Sequence, residues 1–182
     1  MPKNNNRKKI DRNLTLIGLV ATIALIIIGA LAWWAYSFIS NNVYNELASQ
    51  KIYFPAANSA ALNNPEIKPY LEKYAGQQLL TGPEAKAYAD HFIAVHLSEI
   101  AGGKTYSQVS AEAQANPSNP TLKAQAQTLF QGETLRGLLL GDAYAFSTIA
   151  TIARIAAIVC FVAGGIMFIL VILGFWHYST LK

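Results

Sequence analysis

Cysteine is almost missing from this chain of 182 residues: there is one, Cys160, and it lies inside an apolar run. No intramolecular disulfide can form, so the sequence holds no disulfide framework and no record of a redox compartment. Histidine is nearly as scarce, with His91, His96 and His177 alone. The motifs of nucleophilic and nucleotide chemistry are also missing, since there is no G-x-S-x-G, no P-loop and no G-x-G-x-x-G. Gly102-Gly103-Lys104-Thr105 shares only the tail of a Walker sequence, without the earlier glycine or the apolar strand that would precede it. These gaps exclude the common hydrolase, thiol and phosphate-binding designs.

Charge is sparse and uneven. The formal net charge is +4, and five bases (Lys3, Arg7, Lys8, Lys9 and Arg12) fall within the first twelve residues against the single acid Asp11. The middle of the chain, Ser40 to Thr148, holds seven bases and nine acids, a net of minus two. A nucleic-acid surface would spread its bases over a folded domain. Here they form a leader ahead of an apolar run, the pattern of a cytoplasmic flank under the positive-inside rule.

What the chain has in plenty is long uncharged sequence. Ile155 to Phe175 is twenty-one residues without a formal charge, about 31 Å as a helix, which matches a bilayer's hydrocarbon core. A second run covers Leu14 to Ile39. The layout predicted is a basic cytoplasmic leader (1–13), a first span (14–39), a helical extracytoplasmic domain (40–153), a second span (154–176) and a cytoplasmic tail (177–182). Arg12, Trp33, Trp34, Arg154 and Trp176 stand where charged and aromatic side chains mark membrane interfaces. Two alternatives compete. Ala30-Leu31-Ala32 after a basic start resembles a cleavable leader, although the apolar stretch is long and tryptophans follow directly. A span shifted to 143–170 would place Arg154 mid-membrane, where an arginine is costly.

The middle reads as all-α. The first helix extends through Val43, Tyr44, Leu47 and Ala48, and Tyr53–Asn64 is a loop. A short helix fits Pro65–Tyr74, closed by Gly76. A clearer one runs from Pro83 to Ile100, started by Gly82-Pro83 and ended by Gly102-Gly103. At 100° per residue, Ala85, Tyr88, Ala89, Phe92, Val95, His96, Glu99 and Ile100 share one face, predicted to be buried. Another helix begins near Thr105, Asn116–Pro120 is a turn, and a long helix bent near Gly137 or Gly141 runs on to the second span.

Two sets of residues are candidates for function. Tyr88, Phe92, His96 and Glu99 could line a ligand cleft, with His96 and Glu99 at i, i+3 as a proton-handling pair, or simply form a polar pair at a packing seam. His91 and His96, five residues apart on an α-helix, diverge by about 140° and cannot grip one metal. Ala156, Cys160 and Gly164 repeat at spacing four and could pack helices closely, either within this chain or onto a partner. No cofactor, metal or catalytic residue is expected.

Gly82-Pro83, the His91/His96 helix, Gly103-Lys104-Thr105-Tyr106 and Glu133-Thr134-Leu135-Arg136-Gly137-Leu138-Leu139-Leu140 resemble a family of small actinobacterial membrane proteins with two spans and an external helical domain. The resemblance covers about Leu14 to Trp176 and implies a plasma-membrane protein of a Gram-positive-type envelope. Similar sequences sometimes carry the label of an aromatic ring-opening dioxygenase, but a non-haem iron site wants two histidines and a carboxylate on one face, which the residues here do not supply. The expectation is a non-enzymatic accessory or scaffolding subunit with the bilayer and an envelope or membrane protein as partners. The alternative is an extracytoplasmic sensor or ligand-binding protein using the Tyr88/Phe92/His96/Glu99 face.

Overall fold

The computed structural model describes the backbone of residues 3–180 and the side chains of residues 7–180. Lys3 of the basic leader, and Leu181 and Lys182 of the tail, therefore fall outside the described side chains. Among the described residues every regular element is helical, and the one β contact is an isolated antiparallel bridge between Tyr53 and Gln78. The order is α1 (Lys3–Gln50), α2 (Lys68–Leu71) with a 3₁₀ turn (Glu72–Tyr74), α3 (Gly82–Tyr88), a π-helical turn (Ala89–Ile93), α4 (Ala94–Ala101), α5 (Tyr106–Ala115), α6 (Pro120–Leu138), a second π-helical turn (Leu139–Tyr144) and α7 (Ala145–Thr180). Two of these elements, within 7–50 and 120–180, are long and apolar enough to cross a membrane.

The contacts divide the chain into two compact units, one of residues 1–38 with 150–182 and one of residues 39–149. In the first unit, α1 and α7 run antiparallel. Their facing pairs climb on one helix as they fall on the other. Gly174 meets Thr15, Gly18 meets Val171, Gly164 meets Leu25 and the Thr22 carbonyl, Gly29 meets Cys160, and Arg154 lies over Tyr36. The buried residues repeat every seven positions: Thr15, Thr22 and Gly29 on α1, and Ala150, Ala157, Gly164 and Val171 on α7. A sevenfold repeat keeps one narrow seam facing a partner helix. Small residues on that seam let the backbones approach closely. The two buried threonines satisfy their hydroxyls within the helix, Thr15 donating to the Asp11 carbonyl at 2.8 Å and Thr22 to the Gly18 carbonyl at 2.9 Å.

The helix reaches back into the basic leader, and the expected packing seam is corrected. Residues 3–13 are helical, because the apolar run nucleates α1 and lysine and arginine extend a helix readily once it exists. The packing seam is not the fourfold set: Gly164 is buried and Cys160 half-buried, but Ala156 is exposed and its neighbour Ala157 is fully buried. A fourfold spacing drifts about 40° per step around a helix, whereas a sevenfold one stays on the seam.

In the second unit, Leu47, Phe54, Leu62, Ile67, Leu71, Leu79, Val109, Leu129 and Leu139 form the core with one side of α3–α4. Starts and stops follow local chemistry. Thr81 and Glu84 form a capping box on α3, Thr105 and Gln108 one on α5, and Asn119 caps α6 with Pro120 in its first turn. Gly102 and Gly103 close α4 with positive φ of 59° and 79°, a conformation that glycine adopts without strain. The Pro65–Tyr74 helix is shorter than its pattern, beginning at Lys68. Near Gly137 and Gly141, where a bend is expected, the helix carries a π-helical turn, Leu139–Tyr144, which includes Gly141.

The buried stripe along α3–α4 is Ala85, Ala89, Ile93, Leu97 and Ala101, one residue in four. An unbroken α-helix would carry such a stripe well around its circumference, and the wider π turn at Ala89–Ile93 absorbs the drift. That turn also overrides the expected face. Tyr88, Phe92 and His96 are half-buried beside the stripe, while Glu99 and Ile100 are exposed.

The seam makes one sharp prediction. Ala157→Leu overpacks it and should destabilise the protein by about 1–3 kcal/mol, while Ala156→Leu should stay within about 0.5 kcal/mol of wild type. Thermal unfolding of both variants in the same detergent checks this; equal effects would contradict the sevenfold seam.

Candidate functional site

The expected ligand face is filled by its own rings. Tyr88 packs edge-on against Phe54 with centroids 5.4 Å apart and lies 4.7 Å from Phe92, and Phe92 lies 4.4 Å from the His96 ring. Phe54 also stacks on Tyr74 at 4.9 Å. The five rings form a continuous ladder, each filling the space beside the next. Burial raises the Tyr88 phenol above its ordinary pKa.

His96 and Glu99 do not pair. His96 Nδ1 lies 2.9 Å from the Phe92 carbonyl. A carbonyl can only accept, so Nδ1 carries the proton there and Nε2 is the ring's other nitrogen for any further contact. Glu99, on the solvent side, accepts from Asn64 Nδ2 at 2.8 Å and so ties the loop to α4. The reason is the π turn, which rotates Glu99 away from the face that α-helical spacing assigns to it. The 140° divergence of His91 and His96 likewise assumed α geometry, which His91, inside the π turn, does not have. Each ring is nonetheless held by a different neighbour: His91 lies flat on Tyr70, with centroids 3.6 Å apart and planes 2° from parallel. Among the described residues no three His, Cys, Asp or Glu side chains gather closely enough to hold a metal ion.

Sequence pattern missed a charged cluster built on the two π turns. Asp90, in the first, accepts from Lys86 at 2.6 Å and from Arg136 at 3.4 Å. Arg136 also reaches Glu133 at 3.5 Å, and Lys86 lies over the ring of Tyr144, in the second π turn, at 5.1 Å. The hydrogen bond from Lys86 chiefly holds the Asp90 carboxyl below its ordinary pKa of 3.8, against the opposing effect of burial. The same bond raises the Lys86 ammonium above its ordinary value of 10.5. Arg136 Nε is buried without a hydrogen-bond partner among the described residues. The Lys86–Asp90 half was readable as an i, i+4 pair. The Arg136 half joins residues 46 positions apart, and no local pattern announces it.

Beyond the cluster, α5 and α6 border an open groove of about 630 Å³ lined in part by Tyr106, Ala113, Lys123, Ala126, Gln127 and Phe130. Tyr106 and Phe130 are exposed, with ring centroids 5.8 Å apart, and Leu135 and Leu138 on α6 are exposed as well.

In the first unit, Arg12, Trp33, Trp34, Arg154 and Trp176 are all exposed. Trp33 meets Tyr36 edge-on at 5.5 Å, and Trp34 stacks on Phe38 at 5.6 Å. At the other end of the helix pair, Asp11 Oδ2 lies 4.0 Å from His177 Nε2.

Comparison with protein-family models, with curated proteins and with solved structures finds no match.

The Asp90 cluster sets a pH dependence. A carboxyl with a depressed folded pKa contributes stability that is present above its unfolded pKa and lost as pH falls through the folded value. Asp90→Asn should therefore lower the melting temperature at pH 7 by about 2–4 °C, the size of about 1 kcal/mol for partly screened pairs in a chain of this length. The gap between variant and wild type should close as pH drops below 3.8. Calorimetry in detergent at several pH values checks it, and a gap that persists at low pH would assign the effect to packing.

Proposed function

We propose that this chain is an integral membrane protein with two spans, amino and carboxyl ends in the cytoplasm and residues 40–153 outside. In this reading it serves as a non-enzymatic accessory or scaffolding subunit of an envelope or membrane complex. The observation that carries the membrane reading is the register of the helix pair. With Thr15 against Gly174 and Tyr36 against Arg154, the uncharged run that starts at Leu14 is level with Phe175, and Trp34 is level with Ile155. Two runs of about 20 residues, each about 30 Å, thus share both ends. One end carries Arg12, Trp176 and His177, and the other Trp33, Trp34, Tyr36 and Arg154, as two membrane interfaces would. The outward faces between them are isoleucine, leucine, valine and phenylalanine, which only lipid or another apolar helix covers without cost.

The partner role is supported by the contrast within residues 39–149. The Tyr88–Phe92–His96 face closes on itself, while Tyr106 and Phe130 stay uncovered at the α5–α6 groove and Leu138 is exposed further along α6. Exposed apolar residues beside polar ones suit a protein partner better than a small ligand, which needs an enclosed pocket. The resemblance to two-span actinobacterial membrane proteins gives the same topology.

The test uses intact cells of the native type carrying Cys160→Ala. An impermeant maleimide should label Ser118→Cys and spare Lys8→Cys, and a photo-crosslinker at position 130 should give one discrete adduct with a second protein. Labelling of Lys8→Cys in intact cells would overturn the topology. Position 130 yielding only the uncrosslinked chain would overturn the partner role.

A further inference from the structure

We infer that Arg154, with Tyr36 and Trp33, forms a headgroup site for the phosphate of an anionic phospholipid. The inference rests on the two-span reading and goes beyond it by assigning a specific lipid contact. Arg154 is the only formal charge in α7 between Asp142 and Lys182, and α1 has none between Arg12 and Glu46. Neither helix therefore offers an acid at this level. Among the described residues the Arg154 guanidinium makes no hydrogen bond and no ion pair; it lies over the Tyr36 ring, 5.6 Å from Cζ, which Trp33 in turn meets edge-on. The opposite end of the helix pair differs, because there Asp11 stands beside His177.

A guanidinium has five N–H donors and no acceptor. A ring face attracts its charge but accepts none of those hydrogen bonds conventionally. The side chain is exposed, so these donors are open to an acceptor from outside the chain. Arg154 stands one residue outside the uncharged run, so in the two-span reading its long side chain reaches the headgroup layer. Phosphate oxygens match the guanidinium fork in pairs, and Tyr36 with Trp33 limits the conformations the side chain must give up to bind. A zwitterionic headgroup carries its own ammonium beside the phosphate, so an anionic one gains more. The exposed Ile155, Ile158 and Val162 on the same helix give acyl chains an apolar surface that free phosphate cannot use.

The experiment takes the full chain in mild detergent and follows its thermal unfolding with phosphatidylglycerol, phosphatidylcholine or inorganic phosphate added at equal phosphate concentration. Phosphatidylglycerol should raise the melting temperature most. Arg154→Gln should weaken that lipid's apparent affinity about fivefold, the effect of one basic residue at a membrane surface. Arg154→Lys should retain part of the affinity, Tyr36→Leu should lose part of it, and Lys68→Gln, on α2, should retain all of it. An unchanged lipid response in Arg154→Gln, an equal response to phosphatidylcholine, or an equal response to free phosphate would each overturn the site. Because lipid-free unfolding is recorded for every variant, a folding defect shows separately, and Tyr36→Leu then carries the test with the arginine intact. A carbonate wash of native membranes separates the two levels. Protein released by the wash overturns the two-span reading itself, whereas protein retained but indifferent to the lipid overturns only the headgroup site.

Discussion

The close approach of α1 and α7 along one seam of small residues is the constraint on which the first unit depends. In lipid, apolar helices gain little from simply touching, because the tails they displace are equally apolar. Attraction has to come from backbone proximity, and the glycines, alanines and threonines that fill every sevenfold position but Val171 permit it. Gly164 lets Leu25 and the Thr22 carbonyl close in, and Gly174 does the same for Thr15. A shift of one residue on either helix would push side chains into that gap. The seam therefore sets the register, and the register sets the two uncharged runs level and gathers Trp33, Tyr36 and Arg154 at one end.

The second unit solves a different problem with a related device. Its central helix must present Ala85, Ala89, Ile93, Leu97 and Ala101 to a single core, and the π turn at Ala89–Ile93 keeps that stripe straight. The second π turn carries Leu139 and Ala143 into the same core while bringing Tyr144 over Lys86. Asp90 and Arg136 then join the two long stretches of helix through charge, and the ring ladder from Tyr74 to His96 fills the adjoining space. An unoccupied cleft does not fit on a face so used.

Much of this was legible in the residues. The helix starts near Pro83 and Thr105 and the stop at Gly102-Gly103 follow from turn and capping chemistry within a few residues of chain, which is why sequence finds them. The two uncharged runs follow from composition alone. What escaped were the features that depend on non-local or non-α geometry. A π turn has no residue signature, so the face angles past Tyr88 were misassigned, and with them the burial of Glu99 and its pairing with His96. The salt bridge from Arg136 to Asp90 needs the tertiary fold to exist. The true seam was hidden for another reason: alanines and glycines are so dense in α7 that Ala156 and Ala157 both look suitable, and only the facing helix chooses between them.

The most direct measurement of this account is disulfide crosslinking of Leu25→Cys with Gly164→Cys, in a Cys160→Ala background, in carbonate-washed native membranes. A Cβ at Gly164 lies 3.5 Å from that of Leu25, inside the range a disulfide requires. The account predicts rapid intramolecular crosslinking of this pair and none between Leu25→Cys and Gly174→Cys, two turns or more out of register. Loss of the protein in the wash, or crosslinking of both pairs alike, would contradict a membrane-embedded helix pair held in one register.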